Sequence, residues 1–408
     1  MHTRLIALPA VTDADVQAWR RLAEDAAEPN AFLDPRFLVP ARHRAGEAAD
    51  LRLLVVQDGG EWVGALAVTT KAVAPGVPVR AATTGGRFMT THSDRHHPLL
   101  RRGRETEALE ALLRGARRVG LPGLVQLQHF PAQGPLADAL ARVLRRSSML
   151  VHERRRATSA FATRTSLPSV RRLDAGARAM VVDPPLACDH MGSGRRKDLR
   201  RRVRKLEREL GGPLELHDVS ADPGADDAFV DLQASGWKGD GERGGAALRL
   251  DPVALRWFRE VLAGFRRDGD VLALRLVAGG QTLWTGYTLR SGGTYFGFLD
   301  AYADEHRQHS PGAIGRLAEL AHLFAATDAP HLDPAFDARY ATGAQLYPDQ
   351  RTHVDLLVST RGLVAHSAVR AAPVAKKLGF GAHALAAPLV PGYAAELEQV
   401  LTLVGAGV

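Results

Sequence analysis

The chain has 408 residues and a mass of 43.9 kDa, which is enough for two or three domains of ordinary size. Its 45% hydrophobic and 24% charged residues exclude a collagenous, disulfide-stapled or wholly disordered chain. The 53 basic residues exceed the 45 acidic ones to give a net charge of +8, and only six of the 53 are Lys. An arginine-rich balance suits phosphate or carboxylate partners, and it is equally typical of a GC-rich genome.

The number of cysteines and the hydropathy pattern indicate the cellular compartment that we expect for this protein. Cys188 is the only cysteine, which excludes intrachain disulfides and thiolate-rich zinc sites. No run of about 18 apolar residues occurs, and the N-terminal sequence does not resemble a secretion signal. We therefore expect a cytoplasmic protein without a membrane span. The histidine pairs at His96–His97 and His306–His309 do not complete a ligand set, so we predict no metal.

The first half of the chain mixes strands and helices, with turn-forming glycines between two β-rich segments. This mixture indicates an α/β or α+β fold and excludes a helical bundle. The predicted elements are a strand at Leu5–Leu8, a helix at Ala14–Ala27, a hairpin of Leu51–Val56 and Trp62–Thr69, a helix from about Thr106 to Val119 and a strand at Leu124–Gln128.

The second half begins after Val170–Pro185, whose loosely patterned Arg, Gly and Pro residues indicate a boundary. Its predicted helices are Arg195–Leu210, Asp226–Gly236, Pro252–Arg267, Pro311–Ala326 and an amphipathic terminal helix at Tyr393–Val404. Its predicted strands are Val271–Val277, Leu283–Arg290, Thr294–Leu299, a short strand around His331, and His353–Ser359.

The two hairpins resemble each other. Gly60–Val68 reads GEWVGALAV and Gly280–Leu289 reads GQTLWTGYTL, which suggests one structural unit used twice. We therefore predict an N-terminal domain at 1–180, a C-terminal domain at 181–385 and a tail at 386–408.

The sequence HRQHSPGAIGRLAELAHLF, which starts at His306, follows a β-rich segment. Ser310 is placed to cap a helix that begins at Pro311, and Gly312 lets another group approach the backbone. The free N–H groups of this first turn, with Arg307 and Arg316 nearby, would suit a phosphate or pyrophosphate. Many helices begin in this way and bind nothing.

Two further segments have a functional and a structural interpretation. The glycine-rich loop Gln233–Leu248 follows a helix, so its GxGxxG register does not indicate a dinucleotide fold; Trp237 and Lys238 either line a substrate cleft or belong to a surface turn. The helix Arg195–Leu210 has an apolar side and nine Arg or Lys residues, with Ser193 as its expected N-cap. It is either a solvated surface or the wall of a groove for RNA or for cofactor phosphates.

Several motifs in the same order resemble a known family. They are EPNAFLDPRFL at Glu28–Leu38, SGRRKDLRRRVRKLERELG at Ser193–Gly211, SGWKG at Ser235–Gly239, and SPG at Ser310–Gly312. Together they resemble the CelD-like branch of the GNAT acyltransferase superfamily, which is related to FemAB proteins. The resemblance spans about Trp19 to Leu357. It implies a mixed α/β fold of two tandem GNAT-like domains, each with a mostly antiparallel mixed sheet flanked by helices.

The resemblance also implies where an acyl donor binds. The strand before the long helix and the first turn of that helix would hold the pyrophosphate of acyl-CoA, with acetyl-CoA as the expected donor. These positions are Gln308, Ser310, Gly312, Ala313 and Gly315, and the nearby Arg307 and Arg316 complete the predicted cofactor site. The sequence departs from the family's Q/R-x-x-G-x-G/A pattern, because its best register is His309-x-x-Gly312-x-Ile314.

The implied reaction is direct attack of an acceptor amine or hydroxyl on the thioester. Position favours Asp300 or Asp337 as the base, and Tyr340 or Tyr347 as the acid that reprotonates the leaving thiolate. Related proteins often carry Tyr-Lys where this chain reads Tyr340-Ala341.

Three functions remain open from the sequence. The first is an N- or O-acyltransferase that acts on a small molecule or on a saccharide for a bacterial polysaccharide. The second is a FemAB-like transferase that takes aminoacyl-tRNA. The third is a catalytically silent component of an exopolysaccharide assembly.

Overall fold

The computed structural model describes residues 1–73, 79–173, 178–182, 186–336, 340–360 and 362–377. These residues form two compact units. Unit 1 comprises Met1–Thr158 and the described residues from Arg351 onward, and unit 2 comprises Ser159–Gln350. The predicted domain limits at residues 180 and 385 stay a prediction, because a compact unit in space need not coincide with a contiguous stretch of sequence.

Strands and helices alternate along the described residues. The strands are β1 (His2–Ala7), β2 (Arg52–Asp58), β3 (Glu61–Ala72), β4 (Arg80–Thr83), β5 (Leu99–Leu100), β6 (Leu124–Pro131), β7 (Leu150–Thr163), β8 (Ala179–Val181), β9 (Glu215–Asp218), β10 (Val271–Ala278), β11 (Gln281–Ser291), β12 (Thr294–Tyr302), β13 (His331–Asp333) and β14 (Asp349–Ser359). The α-helices are α1 (Asp13–Glu24), α2 (Pro35–Leu38), α3 (Ala45–Ala48), α4 (Arg87–His92), α5 (Glu105–Arg118), α6 (Pro135–Arg146), α7 (Ser193–Leu210), α8 (Ala225–Ser235), α9 (Pro252–Arg267), α10 (Pro311–Ala326), α11 (Ala341–Ala344) and α12 (Leu363–Lys377).

The sheet of unit 1 has the order β1-β2-β3-β4-β6-β14, with β5 paired to β3. Neighbouring strands are antiparallel except β4 and β6, which are parallel. Helix α5 packs on this sheet because its side chains at Leu109, Leu112 and Leu113 form one apolar face.

The sheet of unit 2 has the order β7-β13-β12-β11-β10-β9-β8. Its neighbouring strands are also antiparallel except for one parallel pair, β12 and β13. The series β2, β3, β4, β6, β14 therefore has the same pairing pattern as the series β10, β11, β12, β13, β7. The predicted mixed α/β fold is confirmed, and the similarity of the two hairpins reflects a repeated strand arrangement.

Helix α10 lies at the centre of the core of unit 2. Ile314, Leu317, Leu320 and Phe324 are at most 1% exposed and pack in one cluster with Trp284 of β11. A helix that is apolar around most of its circumference is buried on more than one side. This burial fixes the position of the polar side chains that α10 also carries.

Most of the predicted helices and strands are present, and the differences concern their ends and caps. The bounds of α9 and α10 agree with the prediction, since Pro stands at the first position of each helix. Ser193 is the first residue of α7 and not its N-cap, a position that Gly192 takes. The predicted helix at Tyr393–Val404 lies outside the described residues. No helix in the part of the chain that the structure describes is long and apolar enough to cross a membrane.

Candidate active site

A glycine lets α10 lie close to β11. An ideal Cβ at Gly315 would lie 2.3 Å from the indole ring of Trp284, and one at Gly286 would lie 2.2 Å from the same ring. The indole therefore fills the space that side chains at these two positions would need. Trp284 is fully buried and donates its Nε1–H to Asp300 Oδ2 at 3.0 Å, so this packing also orients a carboxylate.

Asp300 and Arg316 form a partly buried ion pair between β12 and α10. Arg316 donates from Nε to Asp300 Oδ2 at 2.7 Å and from Nη2 to Oδ1 at 2.9 Å, a bidentate geometry. Burial raises the pKa of Asp300, but the charges of Arg316 and Lys238 and the hydrogen bonds from Arg316 and Trp284 outweigh it, and the pKa lies below its usual value. Asp300 is thus held as a carboxylate whose oxygens accept three hydrogen bonds.

Aromatic side chains enclose the guanidinium. Arg316 lies over the ring of Phe336, with Cζ 4.6 Å from the centroid, and its Nη1 donates to the hydroxyl of Tyr340 at 3.3 Å. Phe336 also contacts the rings of Tyr340 and Tyr347, with centroids 5.2 and 5.6 Å away. Since the Tyr340 oxygen accepts from Arg316, its own O–H is directed elsewhere and can donate to another group.

Glu319 is the second carboxyl group of this cluster. It lies one turn after Arg316 on α10, is 6% exposed, and accepts no hydrogen bond from the part of the chain that the structure describes. Burial and the nearby charge of Asp300 raise its pKa to about 8, although Arg316 opposes the shift. Two carboxyl groups with oppositely shifted pKa values thus share one buried cluster, which is typical of acid–base sites.

Tyr347 borders the same cluster but differs from Tyr340. Burial first, and then the charge of Glu319, raise the pKa of Tyr347 well above its usual value. Its hydroxyl therefore stays protonated at every physiological pH, and it can donate a hydrogen bond but cannot supply a proton readily.

The loop after α8 reaches this cluster. Trp237 and Lys238 lie in a short 3-10 turn, with the Lys238 ammonium 5.9 Å from the centroid of the Trp237 ring. The positive charge of Lys238 contributes to the lowered pKa of Asp300. An added Cβ at Gly239 would lie 1.9 Å from the carbonyl oxygen of Ala234, so the tight packing of this turn requires glycine.

The first turn of α10 combines exposed backbone amides with a positive side chain. Ser310 has φ of 57° and lies in the left-handed region, which turns the chain sharply into the helix. Pro311 has no N–H, so Gly312 and Ala313 supply the first free amides, and both residues are half-buried. Arg202 of α7 donates from Nη1 to the Ser310 hydroxyl at 2.8 Å and to the Gln308 carbonyl at 3.2 Å.

The parallel strands beside α10 separate. Strand β12 pairs with β13 only through Tyr295 and Phe296, and an added Cβ at Gly297 would lie 2.5 Å from the Pro334 carbonyl oxygen. Beyond that point the edge of β12 up to Tyr302 has no pairing with β13. An open strand edge presents backbone N–H and C=O groups to an amide-bearing ligand.

The exposed side of α7 is strongly basic. Its apolar side chains Leu199, Val203 and Leu206 are buried, and the other side lines an open concavity of about 1170 Å³. The lining cations are Lys197, Arg200, Arg201, Arg204 and Arg208, accompanied by the acids Asp198 and Glu207. This surface lies on the same helix as Arg202, so it continues the positive charge from the first turn of α10.

The structure brings part of the predicted site together. Asp300, Arg316, Tyr340, Tyr347 and Lys238 belong to one cluster, whereas Gln308, Ser310, Gly312 and Ala313 lie at the first turn of α10. Asp337 lies outside the described residues.

Five of the predicted site residues have contacts that differ from the expected ones. Asp300 is a poor base because its charge is neutralised by Arg316, and for the same reason Arg316 is not free to bind phosphate. The Ser310 side chain makes no capping hydrogen bond and accepts from Arg202 instead. Gly315 is buried under Trp284, so a packing role explains it. Arg307 is 62% exposed and lies 3.6 Å from Asp304, at the surface of the turn before α10.

Sequence reasoning missed Glu319 and the contact of Arg202 with the first turn of α10. Glu319 stands within the run GRLAELAHLF, and a single acid on the buried side of an otherwise apolar helix is itself unusual. That signal was present in the sequence. The pairing of Arg202 with Ser310 joins residues 108 positions apart, and the sequence gives no sign of it.

Because Gly315 contacts Trp284, we expect one added methyl group at position 315 to destabilise the fold. Gly315→Ala should lower the free energy of unfolding by about 1–3 kcal/mol, since the indole ring is fully buried and has nowhere to move. Gly312→Ala is the matched control on the same helix, where the added Cβ would meet the edge of Tyr302 at 3.2 Å. Chemical denaturation of both variants checks this. Equal loss in the two would contradict the packing role of Gly315.

Comparison with known proteins defines the class of unit 2. Residues 193–347 match the family model described as an acetyltransferase (GNAT) domain. This part of unit 2 is therefore similar to a GNAT acetyltransferase domain, and the match includes α7, the loop with Trp237, β12, α10 and Tyr347. A search of curated proteins found no match to this sequence.

Solved structures resemble the chain over most of its length. FemX has 10% sequence identity and a TM-score of 0.53, with 88% of this chain and 97% of that chain covered. The C-terminal domain of a putative lysylphosphatidylglycerol synthetase from Agrobacterium fabrum has 10% identity and a TM-score of 0.49, covering 88% and 96%. A tandem GNAT protein from the clavulanic acid biosynthesis pathway has 16% identity and a TM-score of 0.37, covering 88% and 98%. The likeness to FemX is a likeness of fold.

The described residues contain no group of three or more His, Cys, Asp or Glu side chains arranged to hold a metal ion. The polar clusters of unit 2 are instead paired carboxylates, arginines and tyrosines.

Proposed function

We propose that unit 2 transfers an acyl group, acetyl in the simplest case, from acyl-CoA to an amine or hydroxyl of a small-molecule or saccharide acceptor. The observation that carries this proposal is Glu319, a buried carboxyl with a pKa raised to about 8, located on the same helix as a first turn suited to a donor phosphate. Acyl-CoA supplies an activated thioester. The residues of this chain position it and move the protons.

The first turn of α10 and the edge of β12 suit such a donor. The amides of Gly312 and Ala313 and the guanidinium of Arg202 offer hydrogen bonds and positive charge to a diphosphate. The unpaired edge of β12 offers backbone partners to the amides of a pantetheine chain. The residues present therefore fit the group.

Glu319 is the proposed general base. Its pKa of about 8 places it near the pH at which a base works best, since it is available as carboxylate yet still basic enough to accept a proton from the acceptor. Asp300 fixes Arg316, and Arg316 in turn fixes the Tyr340 hydroxyl. We assign to Tyr340 the O–H that donates to the leaving sulfur, and to Tyr347 and Lys238 the positioning of the acceptor.

The basic side of α7 favours a second candidate donor, an aminoacyl-tRNA. Five cations line a concavity of about 1170 Å³ on this helix, and phosphate backbones bind such surfaces through counterion release. The attack on an aminoacyl ester would use the same base and the same proton donor. The two donors differ in the salt dependence of binding.

The donor proposal is tested by the thermal midpoint of the purified chain with acetyl-CoA, longer acyl-CoA esters and bulk tRNA, each at two salt concentrations. A ligand at about 100 times its Kd stabilises the folded state by about 2.7 kcal/mol. We expect acetyl-CoA to raise the midpoint, and we expect Arg202→Gln to remove most of that rise.

Arg201→Gln is the matched control, because Arg201 also pairs with Asp198 but makes no contact with the first turn of α10. If no CoA ester raises the thermal midpoint but tRNA raises it in a salt-sensitive way, the donor is an aminoacyl-tRNA and not acyl-CoA.

A further inference from the structure

A second polar concavity lies in unit 1. It has a volume of about 730 Å³ and is lined by Arg114, Arg117 and Arg118 of α5, by Ser147–Met149 after α6, and by Thr360 after β14. Its volume is within the range of about 300–1000 Å³ that small-molecule sites occupy. None of the lining residues is acidic.

The charge of this concavity is only partly balanced. Arg114 pairs with Glu110 at 2.8 Å, whereas Arg117 and Arg118 are exposed and make no side-chain hydrogen bond or ion pair with the described residues. Arg145 and Arg146 end α6 directly before Ser147 and are also exposed. The C-terminal ends of α5 and α6 carry about half a negative charge each, so they neutralise only about one of these four exposed guanidinium groups.

Hydroxyl groups and backbone geometry complete the walls. Ser147 and Ser148 lie beside the arginines, and the Thr360 hydroxyl already donates to the carbonyl of Gly123 at 3.0 Å. Gly362 has φ of 105°, and an added Cβ there would lie 3.5 Å from Nη1 of Arg117. Gly362 therefore lies beside the guanidinium of Arg117.

We propose that this concavity binds a phosphate-bearing ligand, for which inorganic pyrophosphate serves as the probe. Arg117 and Arg118 would hold phosphate oxygens through their planar forks, and Ser147 and Ser148 would donate further hydrogen bonds. The site belongs to unit 1 and uses none of the residues assigned to the donor in unit 2. It is therefore independent of the proposed acyl transfer and remains if that function is wrong.

The test is isothermal titration of the full chain with inorganic pyrophosphate at low and physiological salt. Arg117→Gln/Arg118→Gln should weaken binding at least tenfold. Arg52→Gln/Arg156→Gln removes two exposed arginines of unit 1 elsewhere and should leave the affinity within about twofold. Each titration is repeated in the Arg202→Gln background, which weakens the donor site proposed in unit 2, so that pyrophosphate bound at that site is not assigned to unit 1.

Two results would overturn the proposal. They are the absence of measurable pyrophosphate binding at low salt, and equal weakening in the Arg117/Arg118 and Arg52/Arg156 variants, which would indicate general charge attraction. Vesicles with and without a phosphomonoester lipid distinguish the source of the ligand. Binding to the vesicles that is lost in Arg117→Gln/Arg118→Gln indicates a lipid headgroup, whereas pyrophosphate binding without vesicle binding indicates a soluble phosphate.

Discussion

Replacing Glu319 with Gln should lower the rate of acyl transfer by about 10²–10⁴-fold, which is the usual contribution of a general base. Gln has nearly the same shape and can occupy the same buried position, so the loss would come from the missing basic oxygen. The rate is measured as loss of the thioester absorbance of acetyl-CoA with a panel of amines and amino sugars as acceptors.

The pH dependence of the reaction gives a sharper test of the same residue. Because the pKa of Glu319 is raised to about 8, the carboxylate form increases as the pH rises through 8, and kcat/KM should rise with it. In Glu319→Gln the residual kcat/KM should not rise with pH in this range. If kcat/KM of the variant still rises near pH 8, another group causes the pH dependence and Glu319 is not the general base.

The same raised pKa has an effect on stability. Glu319 titrates at about 8 in the folded chain and near its usual 4.5 when unfolded, so between these values the unfolded chain holds fewer protons. The folded state is therefore fully favoured by this group below about pH 4, and that advantage is lost as the pH rises through 8. The difference between the thermal midpoint of Glu319→Gln and that of the unsubstituted chain should therefore become more positive from pH 5 to pH 9. A constant difference would contradict the raised pKa.

Breaking the ion pair of Asp300 and Arg316 should be costly. Asp300→Asn should lower the free energy of unfolding by up to about 3–5 kcal/mol, because it leaves the largely enclosed Arg316 charged and without its counter-ion. The guanidinium has a side chain only 15% exposed and keeps its pKa well above the usual value through Asp300. Urea unfolding at pH 7 measures the change.

Two variants make this prediction specific. Asp198→Asn removes the exposed ion pairs of Asp198 with Arg201 and Arg202 and should cost less than about 1 kcal/mol. Asp300→Asn/Arg316→Met removes both charges and should recover part of the lost stability. If Asp300→Asn costs no more than Asp198→Asn, the pair is solvated and the enclosed cluster described above is wrong.

Much of the fold could be predicted from the sequence because its signals are local. The proline at the first position and the apolar periodicity placed α9 and α10 at their observed bounds. Strand β7 was missed because its residues include the charged run HERRR, and α6 was missed because the short loop before it carries no strong cap. Which strands pair across long separations, as β14 does with β6, depends on packing that local patterns do not encode.

The candidate site was predictable only in part for the same reason. The order of the motifs indicated the first turn of α10 and the loop with Trp237, but not which side chains pair there. Position in the sequence favours Asp300 as a base, but the guanidinium of Arg316 lies across both of its oxygens. Glu319 gained its role from burial and from the neighbouring charge of Asp300, and both depend on tertiary structure.

Hydrogen exchange of the backbone amides, with and without acetyl-CoA, tests most directly whether unit 2 binds an acyl donor at the first turn of α10. We expect slower exchange on binding at Gly312 and Ala313 and along the open edge of β12 from Gly297 to Tyr302, with little change in α5 of unit 1. Saturating acetyl-CoA that leaves these amides unchanged, or protection confined to other elements, would contradict this expectation.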